Sequence, residues 1–161
     1  MKNNVFVSMQ EECEPPSWFE KVEPFVLEIL EKLELNHWEL SVMFCKDSFI
    51  HELNKQYRKI DSPTDVLSFE QGGEYKDEEG ISWFTAGDIV ISLDTLGYNC
   101  KKFNVSFDDE LKRLLVHGIL HLKGMDHADN SPEREMLIFQ EEFLKNLNYP
   151  QIIVDSIWDS K

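Results

Sequence analysis

The spacing of apolar residues changes between two periods along the chain, and the two periods predict interspersed strands and helices. Alternating or continuous apolar runs predict four strands, at residues 5–9, 38–44, 66–69 and 88–92. The fourth run is nearly all apolar, which is typical of a central strand buried on both faces. Residues 71–80 are rich in glycine and acid, so we expect an exposed loop there.

Helical spacing of apolar residues predicts about five helices. The first covers residues 18–33 with Ser17 as its N-cap, and Pro24 either kinks this helix or marks its true start. The second helix begins with Asp47 or Ser48 as its cap.

The other three helices are predicted at residues 94–100, from Ser106 into a histidine-rich segment, and from Ser131 onward. On the second helix we expect four buried residues: Phe49, Ile50, Leu53 and Tyr57. On the fourth helix the expected buried residues are Leu111, Leu114, Leu115, Ile119 and Leu122. On the fifth helix they are Met136, Phe139, Phe143, Leu144 and Leu147.

Strands and helices mix along the whole chain, which predicts an α+β fold: a small mixed sheet of about four strands covered by about five helices. At 161 residues, with no repeat or dividing linker, we expect a single domain over residues 1–161. Three dispersed cysteines favour a reducing compartment. Since neither a signal peptide nor an apolar run of the ~18 residues typical of a membrane span is found, we expect a cytoplasmic protein without membrane contact.

Charge complicates the choice of partner. The formal net charge is -15 and the sequence pI is about 4.6, so the chain as a whole repels nucleic acid at long range. Acid concentrates in residues 10–40 and 70–79, whereas the basic residues form four sets: Lys55, Arg58 and Lys59; Lys101 and Lys102; Lys112 and Arg113; and Lys123. Solvated surface explains any single set, but a polyanion could bind where several sets share a face.

The most informative segment for function contains His117, His121, Gly124 and His127. Residues four apart on a helix project from one face, with their Cβ atoms about 6 Å apart. Gly124 can end the helix with a positive φ, so that His127 turns back toward the first two rings. Three imidazoles with one open position are typical of a catalytic zinc site, which activates water as a nucleophile. The sequence therefore predicts a metal site at the C-terminal end of a helix.

The general base of such a site is not evident from the sequence. The spacing equals that of metzincin proteases, but those enzymes place Glu after the first histidine, where this chain has Gly118. Asp126 is a candidate for that role, or for orienting a ligand imidazole. Asp65 and Asp88, at predicted strand edges, are further candidates, although such residues are more often turn or cap residues.

Three segments together resemble the YbeY family of bacterial endoribonucleases and ribosomal RNA maturation factors. They are residues 53–69, which include Tyr57-Arg58 and Pro-Thr-Asp-Val-Leu-Ser-Phe; residues 87–92; and the histidine segment. The resemblance implies one zinc ion held by His117, His121 and His127, and a functionally important Arg58. It also implies cleavage of single-stranded RNA in 16S rRNA 3′-end maturation and small-subunit quality control, with ribosome-associated partners.

On this reading His117 and Arg58 carry catalysis, and the planar guanidinium of Arg58 binds the phosphate. Taken alone, an arginine near a helix end is more often a solvated cation that favours the helix dipole. Attack by water and attack by the ribose 2′-OH both remain open. Two other functions also remain open: a zinc hydrolase acting on a peptide or amide, and a non-enzymatic ribosome-assembly module with a structural zinc. Three imidazoles also suit nickel or copper.

Overall fold

The computed structural model describes residues 2–125 and 130–154, with side chains omitted for residues 130–134. Within these residues, a four-stranded sheet and five α-helices are formed. Their bounds are β1 Asn4–Met9, α1 Val22–Lys32, β2 Trp38–Cys45, α2 Asp47–Leu53, β3 Val66–Lys76, β4 Ser82–Ser92, α3 Leu93–Phe103, α4 Phe107–Leu122 and α5 Asn130–Leu147. A 3₁₀ turn at Phe19–Lys21 precedes α1, and a π-helical turn at Asn54–Arg58 follows α2.

The sheet is mixed, with the strand order β1-β2-β4-β3. Strand β2 pairs in parallel with both β1 and β4, while β3 runs antiparallel to β4. The predicted α+β class is confirmed, as is the central position of β4. Within the part of the chain that the structure describes, no helix is both long enough and apolar enough to cross a membrane.

The two faces of the sheet differ in what covers them. On one face, Val42 of β2 and Ile89 of β4 join the main core, to which α1 and α4 contribute most of the helical residues. On the other face, Val90 of β4 and Leu67 of β3 pack with Ile50 of α2 in a smaller cluster. Because side chains alternate along a strand, neighbouring residues of β4 belong to different clusters.

Helix α4 begins as the sequence predicts. Ser106 is its N-cap, and the Ser106 hydroxyl accepts a hydrogen bond from the Asp109 N–H at 3.0 Å. Acidic residues in the first turn favour the positive end of the helix dipole. Gly124 has φ 99° just beyond the helix, which is the left-handed backbone that glycine adopts at little cost.

Two predicted N-caps are wrong. Ser17 does not cap a helix, because α1 starts only at Val22, with Pro24 in its first turn where a missing N–H costs no hydrogen bond. The start of α1 therefore lies nearer Pro24, without a kink inside a longer helix. The N-cap of α2 is Lys46. The carboxylate of Asp47 is used elsewhere, since it accepts hydrogen bonds from the hydroxyls of Ser92 and Thr95 at 2.7 and 2.5 Å.

The predicted loop at residues 71–80 is also wrong in its first half. Strand β3 continues to Lys76 and forms a hairpin with β4, interrupted by a register shift between Glu70 and Gly73. Its polar side chains are exposed at the edge of the sheet, so hydrophobic alternation could not reveal this strand. The turn is held by Asp77, whose carboxylate accepts hydrogen bonds from two backbone N–H groups and the Trp83 indole.

Two residues that we expected in the core are exposed. Tyr57 is 58% exposed, because the π-helical turn that contains this residue changes the helical period and takes its side chain away from the buried face. Phe139 is 41% exposed and stacks on Phe143, one turn further along α5.

Candidate active site

Helix α4 brings two of the three predicted metal ligands together. The imidazole centroids of His117 and His121 are 4.6 Å apart, and their Nε2 atoms approach to 3.1 Å. Both side chains are partly buried, on a helix whose apolar residues fix it in the core. The i, i+4 spacing thus positions the rings as the sequence predicts.

The third predicted ligand, His127, and the candidate acid Asp126 lie outside the described residues. Among the residues that are described, no group of three His, Cys, Asp or Glu side chains could hold a metal. The distance between the Nε2 atoms is that of a hydrogen bond between the two rings, and it also suits two ligands of a shared cation. Two nitrogens that each bind zinc at ~2.0–2.1 Å in a tetrahedral site are roughly 3.3 Å apart, close to the observed 3.1 Å.

A buried glutamine from α5 contacts the first histidine. The Oε1 atom of Gln140 is 2.8 Å from Nδ1 of His117, and the residue is 3% exposed. The amide Nε2 of Gln140 donates to Oε2 of Glu141 at 3.1 Å. The sequence analysis missed this residue, because it lies 23 positions from His117 on a different helix and no local pattern connects them.

Glu141 is held in turn by Arg113 of α4. The guanidinium donates from Nε and Nη2 to the two carboxylate oxygens of Glu141 at 2.9 and 3.1 Å, and Nη1 donates to Glu110 at 2.9 Å. The hydrogen bond from Arg113 is the main reason that the pKa of Glu141 lies below its usual range. Hydrogen bonds therefore link two carboxylates, an arginine, an amide and an imidazole.

Both members of one predicted basic set, Lys112 and Arg113, bind groups within the protein. Arg113 is occupied by two carboxylates, and Lys112 forms an ion pair with buried Asp108 at 2.9 Å. Lys112 also donates to the carbonyl oxygens of Tyr149 and Pro150. This set therefore serves the contacts of α4 with neighbouring segments and is poorly suited to bind a polyanion.

Gly118 has a structural role. A Cβ atom at this position would lie 2.9 to 3.1 Å from three side-chain carbons of Ile89, which is fully buried in β4. Glycine thus lets α4 approach the sheet closely at the site. A glutamate here, as in metzincin proteases, has no space unless Ile89 moves.

Arg58 is anchored to β3. Its Nη2 donates to the carbonyl oxygen of Ser68 at 2.7 Å, and its guanidinium lies 5.8 Å from the centroid of the Phe69 ring. The carbonyl of Phe69 and the side chain of Leu122, the last residue of α4, both lie beside Gly87. Strand β3 therefore runs next to the C-terminal end of the histidine helix, whereas the Phe69 ring that Arg58 contacts packs with the smaller cluster on the other face of the sheet.

The two candidate aspartates are engaged elsewhere. The carboxylate of Asp88 accepts hydrogen bonds from Ser41 at 2.5 Å and Gln71 at 2.9 Å. Asp88 precedes Ile89 on β4, so it projects from the sheet face opposite α4. Asp65 makes longer contacts of 3.4 Å with Thr64 and Asn99. Neither arrangement favours a direct contact with the histidine pair.

Comparison with known proteins identifies the family. The profile of the family described as Endoribonuclease YbeY matches residues 6–148. The chain belongs to the YbeY family. It is 61% identical over 146 residues to the Endoribonuclease YbeY of Treponema denticola, a match that covers 89% of this chain and 93% of the relative.

Further YbeY relatives agree in sequence and fold. The Endoribonuclease YbeY of Borreliella burgdorferi is 42% identical over 126 residues, which cover 75% of this chain and 81% of the relative. The solution structure of TM1509 from Thermotoga maritima superposes with a TM-score of 0.61 at 28% identity, covering 89% of this chain and 88% of the other. The resemblance seen in the sequence is thus confirmed at the level of the family.

Proposed function

We propose that this YbeY-family protein is a zinc-dependent endoribonuclease that cleaves single-stranded RNA in 16S rRNA 3′-end maturation and small-subunit quality control. The endoribonucleases to which the chain is similar support RNA as the substrate. The single structural observation that carries the metal dependence is the approach of the His117 and His121 Nε2 atoms to 3.1 Å.

In this proposal His117, His121 and His127 hold the zinc, and Arg58 binds the scissile phosphate. When bound, zinc polarises a phosphoryl oxygen and makes water a stronger nucleophile. The guanidinium fork of Arg58 matches two phosphate oxygens, and its contact with Ser68 preorganises it beside β3. Attack by water leaves a 5′ or 3′ phosphate, whereas attack by the ribose 2′-OH leaves a cyclic phosphate, so analysis of the product ends separates the two routes.

The proposed test combines metal content with cleavage of a single-stranded RNA that carries the 16S 3′ end. We expect about one zinc per chain in the wild type by ICP mass spectrometry, and loss of both zinc and cleavage in His117→Ala. The matched control is His51→Ala, because His51 contacts Asp61 on the exposed surface, outside the histidine helix. All variants are purified in parallel, so that a contaminating nuclease appears equally in each.

Arg58→Ala should keep its zinc and lose cleavage by about 100-fold, as expected when one group that stabilises charge in the transition state is removed. Lys59→Ala, which removes a neighbouring charge, is the control. If Arg58→Ala cleaves RNA at the wild-type rate, Arg58 does not bind the reacting phosphate.

A second candidate is a ribosome-assembly module in which zinc is only structural. The observation that favours it is the net charge of -15, which suits docking to basic ribosomal proteins. This candidate predicts that metal-replete protein never cleaves RNA while zinc removal lowers Tm. In either case we propose a cytoplasmic protein that acts at the small ribosomal subunit. A peptide hydrolase is disfavoured, because Gly118 stands where a protease needs its base.

A further inference from the structure

A histidine that binds a metal through one ring nitrogen must carry its proton on the other. A neutral imidazole exchanges between two tautomers, and only one of them has its electron pair on Nε2. In this protein the Nε2 atoms of the two histidines face each other, so the tautomer of His117 decides whether that nitrogen can act as a ligand. The contacts of Nδ1 on the opposite side of the ring therefore matter.

The orientation of the Gln140 amide follows from its other neighbour. Glu141 is fixed by two hydrogen bonds from Arg113, and an ionised carboxylate only accepts. The amide NH₂ of Gln140 must therefore face Oε2 of Glu141, 3.1 Å away. The reversed amide would bring two acceptor oxygens together at this distance, at an electrostatic cost that burial increases.

With the NH₂ group committed to Glu141, the carbonyl Oε1 of Gln140 faces Nδ1 of His117 at 2.8 Å. A carbonyl oxygen only accepts, so Nδ1 must carry the hydrogen. We propose that Gln140 is a positioning residue that holds His117 in the Nδ1–H tautomer, with the electron pair of Nε2 directed toward His121. This inference rests on the proposed metal-binding role of His117 and extends it to α5.

Burial strengthens the effect of Gln140 on the tautomer of His117. Gln140 is 3% exposed, so water cannot readily replace its carbonyl as the acceptor of the Nδ1 hydrogen. Ligand histidines elsewhere are oriented by such contacts, and loss of one lowers metal affinity by about 10- to 100-fold. Here the orienting group is a neutral amide whose direction is set by an ion pair on the protein surface.

The tautomer can be measured directly in metal-free protein. Long-range ¹H–¹⁵N NMR at about pH 8.5, where imidazoles are neutral, should show His117 as the Nδ1–H form in the wild type. Gln140→Met, which is similar in size and accepts no strong hydrogen bond, should move His117 toward a mixture of tautomers. The double variant Gln140→Glu/Glu141→Gln keeps an acceptor beside Nδ1 and places an amide donor where two carboxylates would otherwise meet, so it should restore the Nδ1–H form. Glu142→Gln is the matched control on α5 and should leave the tautomer unchanged.

Zinc affinity, measured by competition with a chromophoric chelator, should fall about 10- to 100-fold in Gln140→Met and recover to within about threefold of wild type in Gln140→Glu/Glu141→Gln. An Nε2–H tautomer in the wild type overturns the proposal, and this reading needs no variant to fold. Unchanged tautomer and zinc affinity in a folded Gln140→Met also overturn it. The tautomer is measured without metal or RNA, whereas zinc content and RNA cleavage by the wild type test the proposed function. Failure of the proposal for Gln140 can therefore be distinguished from failure of the proposed function.

Discussion

Replacing Gly118 with alanine tests whether the histidine helix is pressed against the sheet. The added Cβ would meet Ile89 at 2.9 Å from Cδ1, 3.0 Å from Cγ2 and 3.1 Å from Cγ1. Carbon atoms in favourable contact are about 3.5–4.0 Å apart, so the helix or Ile89 must shift by more than half an ångström. Ile89 is fully buried and β-branched, which leaves it little freedom to do so.

The magnitude follows from two opposing effects. Alanine is favoured over glycine in a helix interior by about 1 kcal/mol. Overpacking a well-filled core costs about 1–3 kcal/mol. We therefore expect Gly118→Ala to lower the free energy of unfolding by about 1 kcal/mol, the mid-range difference between these two terms.

A second helical glycine provides the control. At Gly97 in α3 a Cβ would lie 4.0 Å from the nearest side-chain atom, on Phe107, which is ordinary contact. Gly97→Ala should therefore raise stability by about 1 kcal/mol. The two substitutions should differ by about 2 kcal/mol in urea unfolding, or roughly 4–8 °C in Tm for a chain of this size.

A double mutant gives the assay its specificity. Ile89→Ala removes all three atoms that the new Cβ would meet, so Gly118→Ala should become stabilising in that background. If Gly118→Ala stabilises the wild type as much as Gly97→Ala does, the close packing of α4 on β4 is refuted as the reason for glycine.

Three further predictions concern other parts of the fold. Burial is the main reason that the pKa of Cys45 is raised to about 12, and the negative charge of Asp47 is the second. Iodoacetamide at pH 8 should therefore alkylate Cys45 at least ~100-fold more slowly than Cys13, and equal rates would contradict this. Buried Asp108 accepts hydrogen bonds from the backbone N–H groups of Ile152 and Ile153. Asp108→Ala should therefore lower the free energy of unfolding by about 3 kcal/mol and speed amide exchange at both positions, and unchanged exchange would exclude this anchor. The hydrogen bond from the Trp83 indole lowers the pKa of Asp77 in the folded protein. The Asp77 carboxylate therefore contributes fully to stability above its unfolded pKa of about 3.9, and this contribution is lost as pH falls through the lower folded pKa. The Trp83 indole N–H signal should report this loss, and a midpoint above pH ~4 would be inconsistent with it.

The sequence predicts well whatever depends on neighbours along the chain. The His117–His121 contact and the Ser106 cap are set within one or two turns of a helix, so residue spacing suffices to predict them. Strands β1 and β2 have a clear apolar pattern and lie within one residue of their predicted bounds. The role of His127 stays a prediction.

Other features depend on contacts between distant segments, which no local pattern contains. Gln140 reaches His117 only because α5 packs on α4. The second half of β3 is polar and is defined by pairing with β4, so composition alone favoured a loop. Asp108 lies in the first turn of α4, where an acid favours the helix dipole, but its carboxylate also accepts a hydrogen bond from a backbone segment 44 residues away. In each case the missing information is tertiary packing.

The anchoring of residues 152 and 153 by Asp108 has a practical consequence for attaching this protein to a surface or a dye. The anchor lies in the first turn of α4, whereas His121 lies in its last turn. Thirteen residues at about 1.5 Å per residue separate the two positions by roughly 20 Å along the helix axis. A dye or linker attached at position 154 itself, which is 72% exposed, thus lies near the end of α4 remote from the histidines, so attachment there leaves the site open to RNA in solution.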